Sequence, residues 1–238
     1  MSLIIENIDN IKYRIKNAAE HSGRNPKEIK LLLATKTVSA QHIKIALETG
    51  ETLIGENKVQ ELIAKAEILK AIPHQKHFIG HLQTNKIKEV IMYADCIQSV
   101  DRIELAEKLQ KRLAFENKNI DIFIQVNTSY EDSKFGISPE TALDFALQLK
   151  HFDRLNIKGL MTIGLFSAEK EQVRKCFRLL KTIQTEMLQK DIPVNELSMG
   201  MSGDLETAIE EGSTTIRVGT AIFGKRLYPD SYYWTEKK

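Results

Sequence analysis

Cysteine is scarce in this chain, with two residues in 238, Cys96 and Cys176, lying far apart. That excludes a disulfide framework and suits a reduced interior. Proline is rarer than in loop-rich or disordered chains, with five residues, and no Pro/Gly/Ser linker or low-complexity stretch divides the sequence. No apolar run approaches the roughly 18 residues of a membrane span. Excess charge of one sign is also missing. Lys and Arg total 34 against 32 Asp and Glu, and no basic block stands out, which argues against nucleic acid as a partner. The first residues, Met1-Ser2-Leu3-Ile4-Ile5-Glu6, carry no basic stretch or small-residue cleavage site. A cytoplasmic protein is the expectation.

What is present is a core. The chain is 42% hydrophobic and long enough to bury it without metals or cross-links. Ile4, Ile8, Ile11, Ile15 and Ala18 recur at helical spacing, and Gly23 and Pro26 mark the stop, so residues 1–22 read as an N-terminal helix. Beyond it, short apolar runs alternate with amphipathic stretches. Strands are expected at 30–35, 53–55, 76–79, 96–100, 121–126, 157–163, 196–199 and 214–218. Ser39 reads as a helix cap, Asp101-x-x-Glu104 as a capping box, and Ser138-Pro139-Glu140 as a helix start with proline in the first turn. Eight βα units with near-continuous apolar strands predict a parallel sheet covered by helices, closed as a single (β/α)8 TIM-type barrel with the extra N-terminal helix. An open doubly wound sheet is the alternative. One domain spans 1–238, and 227–238 form a tail in which Tyr228, Tyr232, Tyr233 and Trp234, with Phe223, read as a cover on the barrel.

In a barrel the chemistry sits where strands end and helices begin. Lys36 stands at the end of the run Leu31-Leu32-Leu33-Ala34-Thr35. An ammonium there needs a partner or a function, because burying a bare charge costs several kcal/mol. After strands 7 and 8 come Gly200-Met201-Ser202-Gly203-Asp204 and Gly219-Thr220, whose backbone amides and hydroxyls suit an anion such as phosphate. Asp204 is expected to face the following helix from outside, since it would repel a phosphate if it pointed inward. Arg217 alternates with Ile216 and Val218, so it and Thr215 share the inward face of strand 8, beside strand 1 in a closed barrel. Either a ligand or a structural ion pair with a neighbouring acid would satisfy it. His77 and His81 are four apart, but a strand end and Gly80 separate them, so no metal site is expected. Glu131 and Lys134 read as a rim ion pair, and Lys134 is a candidate for secondary contact with a ligand at the mouth.

An amine, a phosphate cradle and an inward arginine together suit an aldehyde-bearing phosphorylated cofactor. At this point resemblance adds to the reading. The stretches LLLATKT at 31–37, GENKVQE at 55–61, HFIGHLQTNK at 77–86, VNTSYEDSKFGI at 126–137, GLMTI at 159–163 and LSMGMSGDLETAIEEGSTTIRVGTAIFGKR at 197–226 resemble the pyridoxal phosphate homeostasis protein family. That family shares its barrel with the N-terminal domain of alanine racemase. The resemblance implies that pyridoxal 5'-phosphate is the cofactor, that Lys36 is the Schiff-base lysine and that Arg217 faces the pyridine nitrogen. It further implies that Ser202, Gly219 and Thr220 bind the phosphate, that Asn57 lies near the cofactor, and that Met201 and Met161 pack beside the ring. Gly203 and Val38-Ser39 depart from the family pattern, which bears on local loop shape.

The resemblance implies a holder of pyridoxal phosphate that buffers or delivers it, with apo pyridoxal phosphate-dependent enzymes as recipients, a monomeric state and no catalytic residues. An arginine at the ring nitrogen weakens the electron sink that carbanion chemistry needs. The eight units also use nearly the whole chain, leaving no domain to bring a second base. Two alternatives stay open: an amino-acid racemase or related pyridoxal phosphate enzyme, and a cofactor-free Schiff-base lyase acting on a sugar phosphate.

Overall fold

A computed structural model describes residues 2–224. The aromatic tail expected at 227–238 lies outside the described residues. The eight strands close into a parallel barrel in chain order, and the doubly wound alternative is discarded. They are β1 (Lys30–Ala34), β2 (Leu53–Glu56), β3 (Gln75–Phe78), β4 (Cys96–Val100), β5 (Ile120–Gln125), β6 (Leu155–Met161), β7 (Glu196–Ser198) and β8 (Thr215–Val218). β8 closes on β1 with Leu32 opposite Arg217 and Leu33 opposite Val218. Each expected strand lies within one or two residues of an observed one, because strands buried on both faces leave compact apolar runs.

Between and around them run α1 (Leu3–His21), α2 (Ala40–Leu47), α3 (Val59–Leu69), α4 (Ile87–Tyr93), α5 (Ile103–Phe115), α6 (Ala142–Leu149), α7 (Lys170–Leu188), α8 (Leu205–Glu210) and α9 (Thr220–Phe223). In α1 the buried residues are Ile8, Ile11, Ile15, Ala18 and Ala19, the stripe that the spacing predicts, with Ile4 packed at its edge. Ser39 caps α2 by accepting from the His42 amide at 3.3 Å. Pro139 opens a 3-10 turn that leads into α6. The capping box at Asp101 does not form: α5 starts after Arg102, and the Asp101 carboxylate instead accepts from the Arg102 guanidinium at 2.7 Å. A strand exit crowded by charged neighbours offers that carboxylate a stronger donor than a backbone amide.

The main core lies between the sheet and the helices. A separate small cluster of Cys96, Phe123 and Met161 includes neighbours from β4, β5 and β6. Both cysteines are buried thiols. Among the described residues, no helix is long and apolar enough to cross a membrane.

Candidate functional site

The C-terminal ends of β1 and β8 are drawn together at the mouth. Gly219 follows β8 so closely against β1 that a Cβ there would stand 2.8 Å from the Ala34 carbonyl oxygen. Only glycine permits this approach, and it brings the loop after β8 beside the exit of β1. Lys36 lies two residues beyond β1, half-buried, in a turn whose next residue, Thr37, has a left-handed φ of 65°. The amine and the β8 loop therefore share one rim of the barrel.

Arg217 is buried, as strand alternation predicts, and no carboxylate forms an ion pair with it among the described residues. Its guanidinium donates to Ser198 Oγ at 2.9 Å and to the Thr162 carbonyl at 2.8 Å. Burial lowers its pKa to about 10, against a partial lift from Asp204. It is still cationic at neutral pH. Ser198 in turn donates its hydroxyl hydrogen bond to Gln98 Oε1 at 2.7 Å, which fixes the Gln98 amide so that Nε2 faces His77 Nδ1, also at 2.7 Å. The result is a polarised chain from Arg217 through Ser198 and Gln98 to His77, linking β8, β7, β4 and β3. His77 accepts at Nδ1 and carries its proton on Nε2. Burial holds its pKa down near 4, so it is neutral.

The two glycine-containing loops converge as expected. Ser202 Oγ and Thr220 Oγ1, from the loops after β7 and β8, stand 3.4 Å apart. Met201 is half-buried in the same loop. Asp204 is half-buried rather than outside: its Oδ1 accepts from the Met201 amide at 2.5 Å and ties the loop to itself. Burial raises its pKa, with the Met201 hydrogen bond and Arg217 opposing. The helix behind these loops is pinned from the N-terminus of the chain. Arg14 grips Glu206 of α8 in a bidentate pair at 2.7 and 2.9 Å, and Asn7 donates to the Ile222 carbonyl of α9 at 3.0 Å.

Asn57, half-buried, follows β2. Its position requires glycine at 80, where a Cβ would approach the Asn57 carbonyl oxygen to 2.1 Å. His81 stacks on Phe135 with centroids 3.8 Å apart, well separated in role from His77. Among the described residues, no group of three or more His, Cys, Asp or Glu could hold a metal ion. Lys134 forms the expected ion pair with Glu131 and donates to the Gly164 carbonyl at 2.6 Å, so it bridges the loops after β5 and β6.

Two constellations escaped the sequence reading. One is the Ser198–Gln98–His77 chain; its only sequence signal is the polar Gln98 inside an apolar strand. The other is a charged cluster of Glu56 at the end of β2 with Glu61 and Lys65 of α3, behind β1; nothing in the sequence pattern brings the three together.

A half-buried amine at one strand end, a buried guanidinium on the adjacent strand and two hydroxyls on neighbouring loops define a barrel suited to a phosphorylated aldehyde with an acceptor on its ring. Residues 7–227 match the family model described as "Alanine racemase, N-terminal domain". A pyridoxal phosphate homeostasis protein of Aquifex aeolicus is 40% identical over 225 residues, covering 94% of this chain and 98% of that one. The structure of PipY from Synechococcus elongatus with pyridoxal phosphate bound is 32% identical, with a TM-score of 0.79 over 89% of this chain and 100% of that one. An alanine racemase of Clostridium difficile shares the fold at 15% identity and a TM-score of 0.77, over 95% of this chain and 58% of that one. The chain belongs to the pyridoxal phosphate homeostasis protein family, on the alanine racemase N-terminal barrel.

Proposed function

We propose that this protein binds pyridoxal 5'-phosphate reversibly through Lys36 and buffers or delivers it inside the cytoplasm, with little or no catalysis of its own. The observation that carries the reading is the register of the barrel seam: Leu32 pairs with Arg217, and Gly219 lies against Ala34. Lys36 and the loop after β8 thus leave the barrel side by side. When bound, the cofactor supplies an aldehyde that condenses with a primary amine, losing one water, and this bond is reversed by hydrolysis. In this reading Lys36 contributes the amine. Ser202, Gly219 and Thr220 hold the phosphate, Arg217 donates to the ring nitrogen, and Asn57 and Met201 line the ring. No residue is assigned as catalytic and none as a metal ligand. The whole chain, 1–238, acts as one cofactor-binding unit and as a monomer, and apo forms of cofactor-dependent enzymes are the recipients.

Arg217 supports a holding role. A guanidinium is always a donor, so the ring nitrogen it faces stays an unprotonated acceptor and withdraws electrons poorly. The test is spectroscopic. Protein mixed with pyridoxal phosphate develops a visible band that borohydride abolishes, leaving the cofactor fixed on Lys36, and Lys36→Ala shows neither. A colourless protein trapped only with a sugar phosphate would establish the lyase reading instead.

A further inference from the structure

Between β2 and α3, directly behind the exit of β1, lies a cluster of charges that cofactor holding does not use. Glu56 is fully buried and Lys65 nearly so. The Lys65 ammonium donates to Glu56 Oε1 at 2.7 Å, to Glu61 Oε2 at 2.9 Å and to the Thr35 carbonyl at 2.8 Å. The Thr35 hydroxyl donates to Glu56 Oε1 at 2.5 Å. The Thr37 amide donates to Glu61 Oε2 at 2.6 Å. The second oxygen of Glu56 is buried with no partner among the described residues.

Such a cluster is poorly explained by stability. Burying the Glu56 carboxylate and the Lys65 ammonium costs desolvation that their attraction repays only in part, and an apolar packing of equal volume often does as well. The contacts themselves point elsewhere. They converge on residues 35 and 37, the two neighbours of Lys36, and they fix a carbonyl and a hydroxyl on one side and an amide on the other. Thr37 holds a left-handed φ of 65°, a conformation that a β-branched residue adopts only when its surroundings impose it. Glu61 supplies that constraint by capturing the amide.

We propose that Glu56, Lys65 and Glu61 form a positioning device for Lys36, clamping the backbone on both sides of it so that its amine leaves the turn toward the β8 rim. The three are positioning residues and touch no cofactor. The inference rests on the reading of Lys36 as the cofactor-bearing amine. It adds that the geometry of that amine is set from outside the barrel, by a helix, rather than by the mouth.

Three variants test it: Glu61→Ala, Glu61→Gln and the double variant Glu56→Gln with Lys65→Met, which removes the buried charges as a pair. In cofactor-free protein, hydrogen exchange of the Thr37 amide is expected to rise about tenfold or more in Glu61→Ala, the loss of one charge-assisted hydrogen bond. The rate at which pyridoxal phosphate is trapped on Lys36 by borohydride is expected to fall by about tenfold or more, the cost of a misplaced reacting group. Glu61→Gln keeps an oxygen acceptor for the Thr37 amide and is expected to restore both. The double variant is expected to slow trapping while its urea midpoint stays within range of the parent. Wild-type trapping in Glu61→Ala despite faster Thr37 exchange would overturn the proposal. So would trapping that falls only in step with the folded fraction in every variant that folds. Lys36→Ala separates the two claims: if it is trapped as well as the parent, the reading of Lys36 fails, whereas the Thr37 exchange result stands by itself.

Discussion

His77 shows what a single side chain costs when the barrel interior is polar. It accepts from Gln98, and its pKa is held near 4 by burial, with Lys30 adding to that effect and Asp95 and Asp121 opposing it. An unfolded histidine titrates near 6.5, so between about pH 6.5 and 4 the unfolded chain binds a proton that the folded one refuses. Stability therefore falls as pH falls through that window, by at most about 3 kcal/mol from this residue. Glu56 works in the opposite sense, since burial raises its carboxyl and the folded state takes up its proton more readily on acidification. His77→Gln keeps an acceptor for Gln98 without a titrating ring. Urea unfolding at pH 7 and at pH 4.5 is expected to show a loss on acidification smaller in the variant by about 2 kcal/mol. Equal losses in the two proteins would remove His77 from the account. Gly80 makes a second prediction at this scale. Alanine there meets the Asn57 backbone, and Gly80→Ala is expected to cost about 1–3 kcal/mol or more of unfolding free energy and to weaken cofactor binding with it.

At the scale of elements, α1 is the part of the fold with the least obvious purpose and the clearest attachments. Besides Arg14 on Glu206 and Asn7 on the Ile222 carbonyl, Arg24 just beyond the helix donates to the Ile209 and Ser213 carbonyls, each at 2.8 Å. All three anchors fall on the segments that carry the loops after β7 and β8. A half-exposed ion pair and one hydrogen bond contribute modestly to global stability, so their removal is expected to act mainly on the loops. Asn7→Ala with Arg14→Ala is expected to lower unfolding stability by about 1–2 kcal/mol. It is also expected to weaken pyridoxal phosphate by about 3- to 10-fold, as read by equilibrium fluorescence. Affinity for pyridoxal, which lacks the phosphate, is expected to stay unchanged. Equal losses for both ligands would show that α1 supports the whole mouth and not the phosphate loops.

The elements also explain why the sequence was readable where it was. Strands such as β1 and β5 are largely buried on both faces and leave apolar runs; Gly219 marks the loop after β8 because the chain approaches β1 closely there, and Gly200 marks the loop after β7 because it packs against Ala208 and Ile216. Lys36 was legible as a charge just past the end of a buried strand, and Arg217 as a charge inside one, alternating with Ile216 and Val218. Lys65 was not, because a lysine four residues after a glutamate on a helix looks the same whether it faces water or a buried Glu56. Asp101 misled for a related reason: its capping motif is local, and the donor that won it, Arg102, acts through a side chain that the motif does not consider.

For the molecule as a whole, the question is whether the barrel carries out chemistry at an amino acid's α-carbon or only holds its cofactor. Exchange there needs a group that can take the proton, placed at the mouth. Arg217 remains cationic at neutral pH and can only donate. His77 is neutral but lies in the barrel interior, with Nδ1 occupied by Gln98. The tyrosine described on the loops at the mouth is Tyr130, and its hydroxyl donates to Glu140 at 2.7 Å, which raises its pKa and keeps the proton on it. Lys134 spends its ammonium on Glu131 and the Gly164 carbonyl. His81, after β3, stacks on Phe135 and lies 3.7 Å from Asp101. In the proposed function Lys36 is both the amine that carries the cofactor and the base assigned to the site. Under the proposed function, protein loaded with pyridoxal phosphate and incubated with a panel of L- and D-amino acids in deuterated water is expected to exchange their α-protons no faster than free cofactor does, as followed by proton NMR. Exchange well above that background with any one amino acid, lost in Lys36→Ala, would make the protein an enzyme and restrict the holding role to a side effect of its affinity. Transfer gives the complementary readout: loaded protein is expected to restore activity to an apoenzyme, and a rate that depends on apoenzyme concentration would distinguish delivery by contact from release into solution.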